Sequence, residues 1–130
     1  MIFLSIKTDQ PKAEVALLVE GEPKVELTWE AHRQLAETLH SKIAELLKAN
    51  HRTLKDLDGI VCYKGPGSFT GLRIGMSVGN ALAYGLGIPV VGAAGSDWQE
   101  EGVARLATGE NEKSALPEYG GEIHITKPRK

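Results

Sequence analysis

Four histidines, one cysteine and a serine inside a glycine-rich turn are the side chains of this sequence best suited to chemistry. His32, His40, His51 and His124 form neither HxxxH nor HxExH. His32 and His40 stand eight residues apart on one predicted helix, with no carboxylate at ligand spacing on the same face, so no metal site is expected. Cys62 lies within the apolar run Ile60-Val61-Cys62-Tyr63, where a cysteine acts as a small buried hydrophobe rather than a nucleophile. A single cysteine also excludes an intrachain disulfide and any multi-cysteine metal cage. Ser68 sits in GPGSFTG, which lacks the GxSxG spacing of a nucleophile elbow. No acid–base pair emerges from spacing, so the sequence predicts a scaffold with no catalytic residue and no cofactor.

The stretch GPGSFTGLRIG, Gly65 to Gly75, carries most of the information. Gly65 and Gly67 are free to take positive φ, Pro66 fixes one torsion between them, and Ser68 or Thr70 can cap the helix that follows. Such a strand–loop–helix aims several N–H groups at one spot, where an anion could sit. The P-loop lysine and the GxGxxG spacing are both missing, and local chemistry favours a structural turn over an anion site. Gly71, Gly75 and Gly79 then recur every four residues beside Ile74, Val78 and Leu82. Each glycine costs a helix interior about 1 kcal/mol against alanine, and close packing on the protein's own sheet is the expected reason. The opposite arc carries Arg73, Met76, Ser77, Asn80 and Tyr84, which reads as a partner surface or a solvated face.

The elements that must hold this loop follow from periodicity. Ile2 to Ile6, Ala13 to Val19 and Lys24 to Leu27 are strands joined by connections short enough to force an antiparallel meander. Thr28 is the expected cap of a long amphipathic helix to Ala49, with Leu35, Leu39, Ile43, Leu46 and Leu47 on one arc and Trp29 and Ala36 at its margin. Ile60 to Tyr63 is an inner parallel strand. A second helix runs from Thr70 to Leu86, ended by Gly87, and Ile88 to Val91 is a further strand. Ser96 or Asp97 caps a third helix to about Ala107. The order β-β-β-α-β-α-β-α predicts a mixed five-stranded sheet with helices on both faces, and a ribonuclease-H-like fold fits it best. Beyond Gly109 the sequence is turn-rich, so residues 1–108 are the expected domain and 109–130 a turn-rich connection and basic tail, mobile from Gly109 to Glu122. Ile123 to Ile125 could add an edge strand there.

At 130 residues, 42% hydrophobic and 25% charged, the chain has the composition of one globular domain rather than of a disordered segment. A net charge of −2 provides no basic field for gripping nucleic acid. No apolar run approaches the roughly 20 residues of a membrane span, and MIFLSIKTDQ lacks the basic start of a signal peptide. A cytoplasmic protein without membrane contact is expected.

GPGSFTGLRIG, followed by a small-residue helix and GIPVVG (Gly87 to Gly92), closely resembles the signature of the TsaB (YeaZ) family. The opening MIFLSIKTDQPKAEVALL resembles that family's first two strands, and ITKPRK its carboxyl end. The resemblance implies an actin-like ATPase superfamily domain. It also implies a non-catalytic subunit of tRNA threonylcarbamoyladenosine synthesis that docks on and activates the catalytic subunit TsaD. An ATPase, TsaE, would join through the complex, a homodimer could form in isolation, and tRNA would be touched only indirectly, by Lys127 to Lys130 at most. The expected partner face comprises Arg73, Met76, Asn80 and Tyr84 on the second helix with Trp29, His32 and Ala36 on the first. The signature loop is Gly65, Pro66, Gly67, Ser68, Phe69, Thr70 and Gly71. Two departures stand out: Lys7-Thr8-Asp9 replaces the family's Asp-Thr-Ser, and the second domain usual in the family is not evident. The alternatives are a small nucleotide- or phosphate-binding hydrolase using Gly65 to Thr70, and a homodimeric structural module.

Overall fold

A computed structural model of the chain describes residues 1–31 and 34–116. Strands β1 (Ile2–Lys7), β2 (Lys12–Val19) and β3 (Val25–Glu30) form the antiparallel meander. Helix α1 (Leu35–Ala49) crosses to β4 (Gly59–Tyr63), which lies parallel to β1, and helix α2 (Phe69–Leu86) crosses from β4 to the parallel β5 (Val90–Ala93). Helix α3 (Trp98–Ala107) follows, and the sheet order is β3-β2-β1-β4-β5.

Alternation along the strands divides the core in two. Leu4, Ile6, Val15, Leu17, Ile60, Cys62 and Val90 face α1 and α2 and share a cluster with Leu39, Ile43 and Leu47. Phe3, Val61, Tyr63, Val91 and Ala93 face the other way, where α3 covers them with Trp98 and Leu106. Tyr63 and Trp98 meet edge to face, with ring centroids 5.5 Å apart. Every residue of β4 is buried, as its place between β1 and β5 requires.

Two expectations need correction. The first helix does not begin at Thr28: β3 continues through Thr28, Trp29 and Glu30, which pair with Glu14, Ala13 and Lys12. Backbone pairing to β2, aided by the β-favouring Thr28 and Trp29, outweighs one capping bond, and α1 starts at Leu35 with no side-chain cap. The second correction concerns the segment after Gly109. It is not a free connection over residues 110–115, because it binds the outer edge of β5. Asn111 Oδ1 accepts from Val90 N at 3.1 Å, and Glu112 N donates to Val90 O at 2.9 Å. Ala115 is buried, and its N–H and C=O are both held by the Asn80 amide, at 2.8 and 3.0 Å. The expected edge strand at Ile123 to Ile125, His124 and the basic tail all lie outside the described residues.

Candidate partner surface and signature loop

The signature loop is built against the end of β1. Gly65 takes φ 127, a conformation open to glycine and strained for other residues, and its carbonyl accepts from Gly95 N at 3.2 Å. Tyr63 Oη donates to Pro66 O at 2.7 Å. Gly67 does not use positive φ; it is needed because a Cβ there would lie 2.4 Å from Asp9 Cβ. Ser68 N donates to Asp9 O at 3.3 Å, and Ser68 Oγ caps α2 by accepting from Gly71 N at 3.5 Å. Thr70 is exposed, and Phe69 is partly so, with the Arg73 guanidinium 5.5 Å from its ring centroid.

Lys7 and Asp9 face each other beside this loop. Lys7 Nζ lies 2.6 Å from Asp9 Oδ1 and 4.5 Å from the centre of the Tyr63 ring. The Asp9 side chain is 5% exposed, so the pair is a nearly enclosed contact that neutralises both charges. Thr8, Asp9, Pro11, Ser68, Thr70 and Ile74 line a cleft of 470 Å³ next to it. A carboxylate on that wall, already holding the nearby lysine, opposes a bound anion rather than recruiting one. Among the described residues no group of three His, Cys, Asp or Glu side chains is placed to hold a metal ion.

Helix α2 lies hard on the sheet at three of its four glycines. A Cβ at Gly71 would stand 2.1 Å from Thr8 O, one at Gly75 2.2 Å from Thr8 Oγ1, and one at Gly79 2.4 Å from Cys62 Sγ. These approaches fix which arc faces out. Arg73, Ser77, Ala81 and Tyr84 are exposed along one stripe, and Tyr84 keeps 90% of its surface. Met76 is not part of that stripe. It is 2% exposed and belongs to the core beneath α1 and α2, because α2 has neighbours on two sides and buries a wider arc than a helix lying on a sheet alone. Asn80 is half-buried and its amide is taken by Ala115. On the other element, Ala36 is exposed on α1, whereas Trp29 lies on β3, half-buried, with Nε1 donating to Thr38 Oγ1 at 3.0 Å. His32 lies outside the described residues.

Sequence reasoning missed the cluster of Arg105, Glu110 and Glu112 at the β5 edge. Arg105 Nη2 lies 2.5 Å from Glu110 Oε2 and also binds Glu112 Oε2, while Nη1 donates to Gly92 O at 2.7 Å. The carboxylates raise the Arg105 pKa, chiefly through the Glu110 contact, and the guanidinium holds Glu110 below its ordinary range. No periodic signal marks this cluster, since it joins α3 to an irregular segment.

Burial pushes the Cys62 thiol up to about 12. Unfolding frees a thiol of ordinary acidity, near 8.5. Stability from this group is therefore complete below that value and is lost as pH climbs from there toward 12. Alkylation of Cys62 by iodoacetamide at pH 8 should follow global unfolding. Labelling at the rate of a free thiol, with the fold intact, would contradict its burial.

The comparisons follow the same elements. A family model described as "TsaD: tRNA N6-adenosine threonylcarbamoyltransferase" matches residues 29–96, just over half of the chain. The tRNA threonylcarbamoyladenosine biosynthesis protein TsaB of Haemophilus influenzae is 28% identical over 127 residues, covering 98% of this chain and 53% of that protein. The structure of YeaZ from Pseudomonas aeruginosa superposes with a TM-score of 0.67 at 32% identity, covering 72% of this chain and 43% of that one. RuvC from Thermus thermophilus, solved with a Holliday junction substrate, matches at a TM-score of 0.50 and 12% identity, over 84% of this chain and 77% of that one. That likeness bears on the fold alone and agrees with a ribonuclease-H-like sheet. The chain spans about half the length of the curated relatives it matches. With the signature loop folded on β1, the sheet order of that fold and a likeness running along nearly the whole sequence, the chain belongs to the TsaB (YeaZ) family.

Proposed function

We propose that this chain is a non-catalytic partner subunit in tRNA N6-threonylcarbamoyladenosine synthesis, one that docks on a TsaD-like catalytic subunit and holds it in its active form. The relatives' names support the process, and the match to a TsaD family model supports a like-with-like pairing of related domains. A TsaE-like ATPase joins through the complex, and tRNA is engaged only indirectly. In isolation the same face pairs with itself. Among the described residues no helix is long and apolar enough to cross a membrane.

The observation that carries the docking face is Tyr84. An aromatic side chain left 90% exposed on a helix, in line with Arg73 and the small Ser77 and Ala81, suits a second helix lying along α2. Met76 and Asn80 leave the face, and Arg73, Tyr84 and Ala36 remain.

Tyr84→Asp is therefore the informative variant. It should weaken co-purification with TsaD by about tenfold or more, as loss of an aromatic anchor does. Its thermal unfolding should match wild type, because the side chain touches little of its own fold. Equal binding by the folded variant would remove Tyr84 and the α2 stripe from the interface.

A further inference from the structure

The outer edge of β5 presents four backbone groups, the N–H and C=O of Val90 and of Gly92, and all four are occupied. Asn111 Oδ1 takes Val90 N at 3.1 Å, and Glu112 N reaches Val90 O at 2.9 Å. Glu112 Oε1 takes Gly92 N at 2.9 Å, and Arg105 Nη1 reaches Gly92 O at 2.7 Å. Three of these four partners are side-chain atoms, so residues 110–115 cover the edge without forming a sixth strand. The cover is held by charge, through Arg105 bound to both Glu110 and Glu112, and by the Asn80 amide closed on Ala115.

We propose that this edge is a pairing surface for a second copy of the chain, and that residues 110–115 are its charge-held guard. Strand β5, Val90-Val91-Gly92-Ala93, carries no charge of its own. The opposite edge strand, β3, carries Glu26 and Glu30, the usual protection against edge-to-edge pairing. On β5 that protection has been moved off the strand and into the guard.

The exposed pattern is self-complementary. In an antiparallel ladder, two residues that each point both groups outward exchange a pair of bonds. With a two-fold axis at Val91, Val90 of each copy would face Gly92 of the other, and four bonds between the copies would satisfy the eight outward groups that the two copies otherwise pair with their own guards and Arg105. While the guard is attached to the same chain, its high effective concentration keeps the edge closed. Weakening its ion pairs shifts the balance to the second copy.

The test uses the full chain carrying Tyr84→Asp, so that pairing through α2 does not contribute. Arg105→Gln is compared with Arg105 by residue-resolved amide exchange and by sedimentation velocity over a range of concentrations. In dilute Arg105→Gln, the Val90, Gly92, Glu112 and Ala115 amides should exchange about tenfold faster or more, with Ile60 to Tyr63 unchanged. As concentration rises, a dimer should appear and protection should return at Val90 and Gly92 but not at Glu112. Salt of about 1 M should act in the same direction on the parent. Unchanged protection at Val90 and Gly92 would overturn the guard, and opening without a dimer would overturn the pairing surface. Should Arg105→Gln lose protection at Ile60 to Tyr63, the double variant E110Q/E112Q, altered only at exposed carboxylates, gives the same reading.

Discussion

Gly71→Ala should destabilise the protein by about 3 kcal/mol, near the upper end of overpacking costs. The added methyl would lie 2.1 Å from Thr8 O, a backbone atom at the end of β1. That carbonyl cannot turn aside, because the same pair of residues is clamped by Thr8 Oγ1 donating to Gly71 O at 2.7 Å. Relief requires the first turn of α2 to lift off the sheet. Lifting it would break that bond and Ser68 N to Asp9 O together. The gain in helix propensity, about 1 kcal/mol, offsets only part of this. Gly85→Ala provides the contrast in the same helix. Its Cβ would meet nothing within 4 Å, so only the propensity gain remains and the protein should become slightly more stable. Thermal unfolding of both variants decides the matter: Gly71→Ala should lose about 10 °C or more, and Gly85→Ala should gain. A Gly71→Ala variant as stable as wild type would mean that α2 does not sit on Thr8 as described.

The contrast between those glycines shows what a sequence carries and what it omits. The four-residue spacing of Gly71, Gly75 and Gly79 placed all three on one arc, because a helix's own geometry converts spacing into direction. The atoms they meet, Thr8 and Cys62, come from strands far along the chain and have no local signature. The core arc of α1 was legible for the same reason, and Leu35, Leu39, Ile43, Leu46 and Leu47 are all buried. Met76 departs from its helical-wheel position because a wheel assumes one neighbour. It lies at the margin of the arc that the sheet covers, and contact with α1 extends burial past it. Thr28 reads locally as a helix cap, but pairing with Glu14 on β2 makes it strand. The composition of residues 109–115 suggested mobility, yet Asn111, Glu112 and Ala115 find partners on β5 and α2 that only the folded sheet brings near. Turn-rich segments are irregular by composition; whether they are loose depends on what lies beside them.

Such a distant partner can be exchanged for the glycine's missing methyl, which gives a test of the packing at Gly79. Gly79→Ala should cost about 2 kcal/mol, because the new Cβ would lie 2.4 Å from Cys62 Sγ inside a fully buried cluster. The sulfur has no room to swing, being one bond from its own Cβ on an inner strand. Cys62→Ala should cost about 1 kcal/mol by leaving a small void above α2's glycine. In the double variant the methyl added at position 79 occupies the space the sulfur has left. The next contacts, Ile60 Cγ2 at 3.5 Å and Ile6 Cδ1 at 3.6 Å, are ordinary van der Waals distances. The helix also keeps the propensity gained by losing a glycine. The double variant should thus be more stable than Gly79→Ala alone, and the coupling between the two positions should be about 2 kcal/mol in its favour. Denaturant unfolding of the four proteins measures it directly. Additive losses would show that α2 and β4 relax independently, and that the closeness of Gly79 to Cys62 does not set how deeply the helix sits.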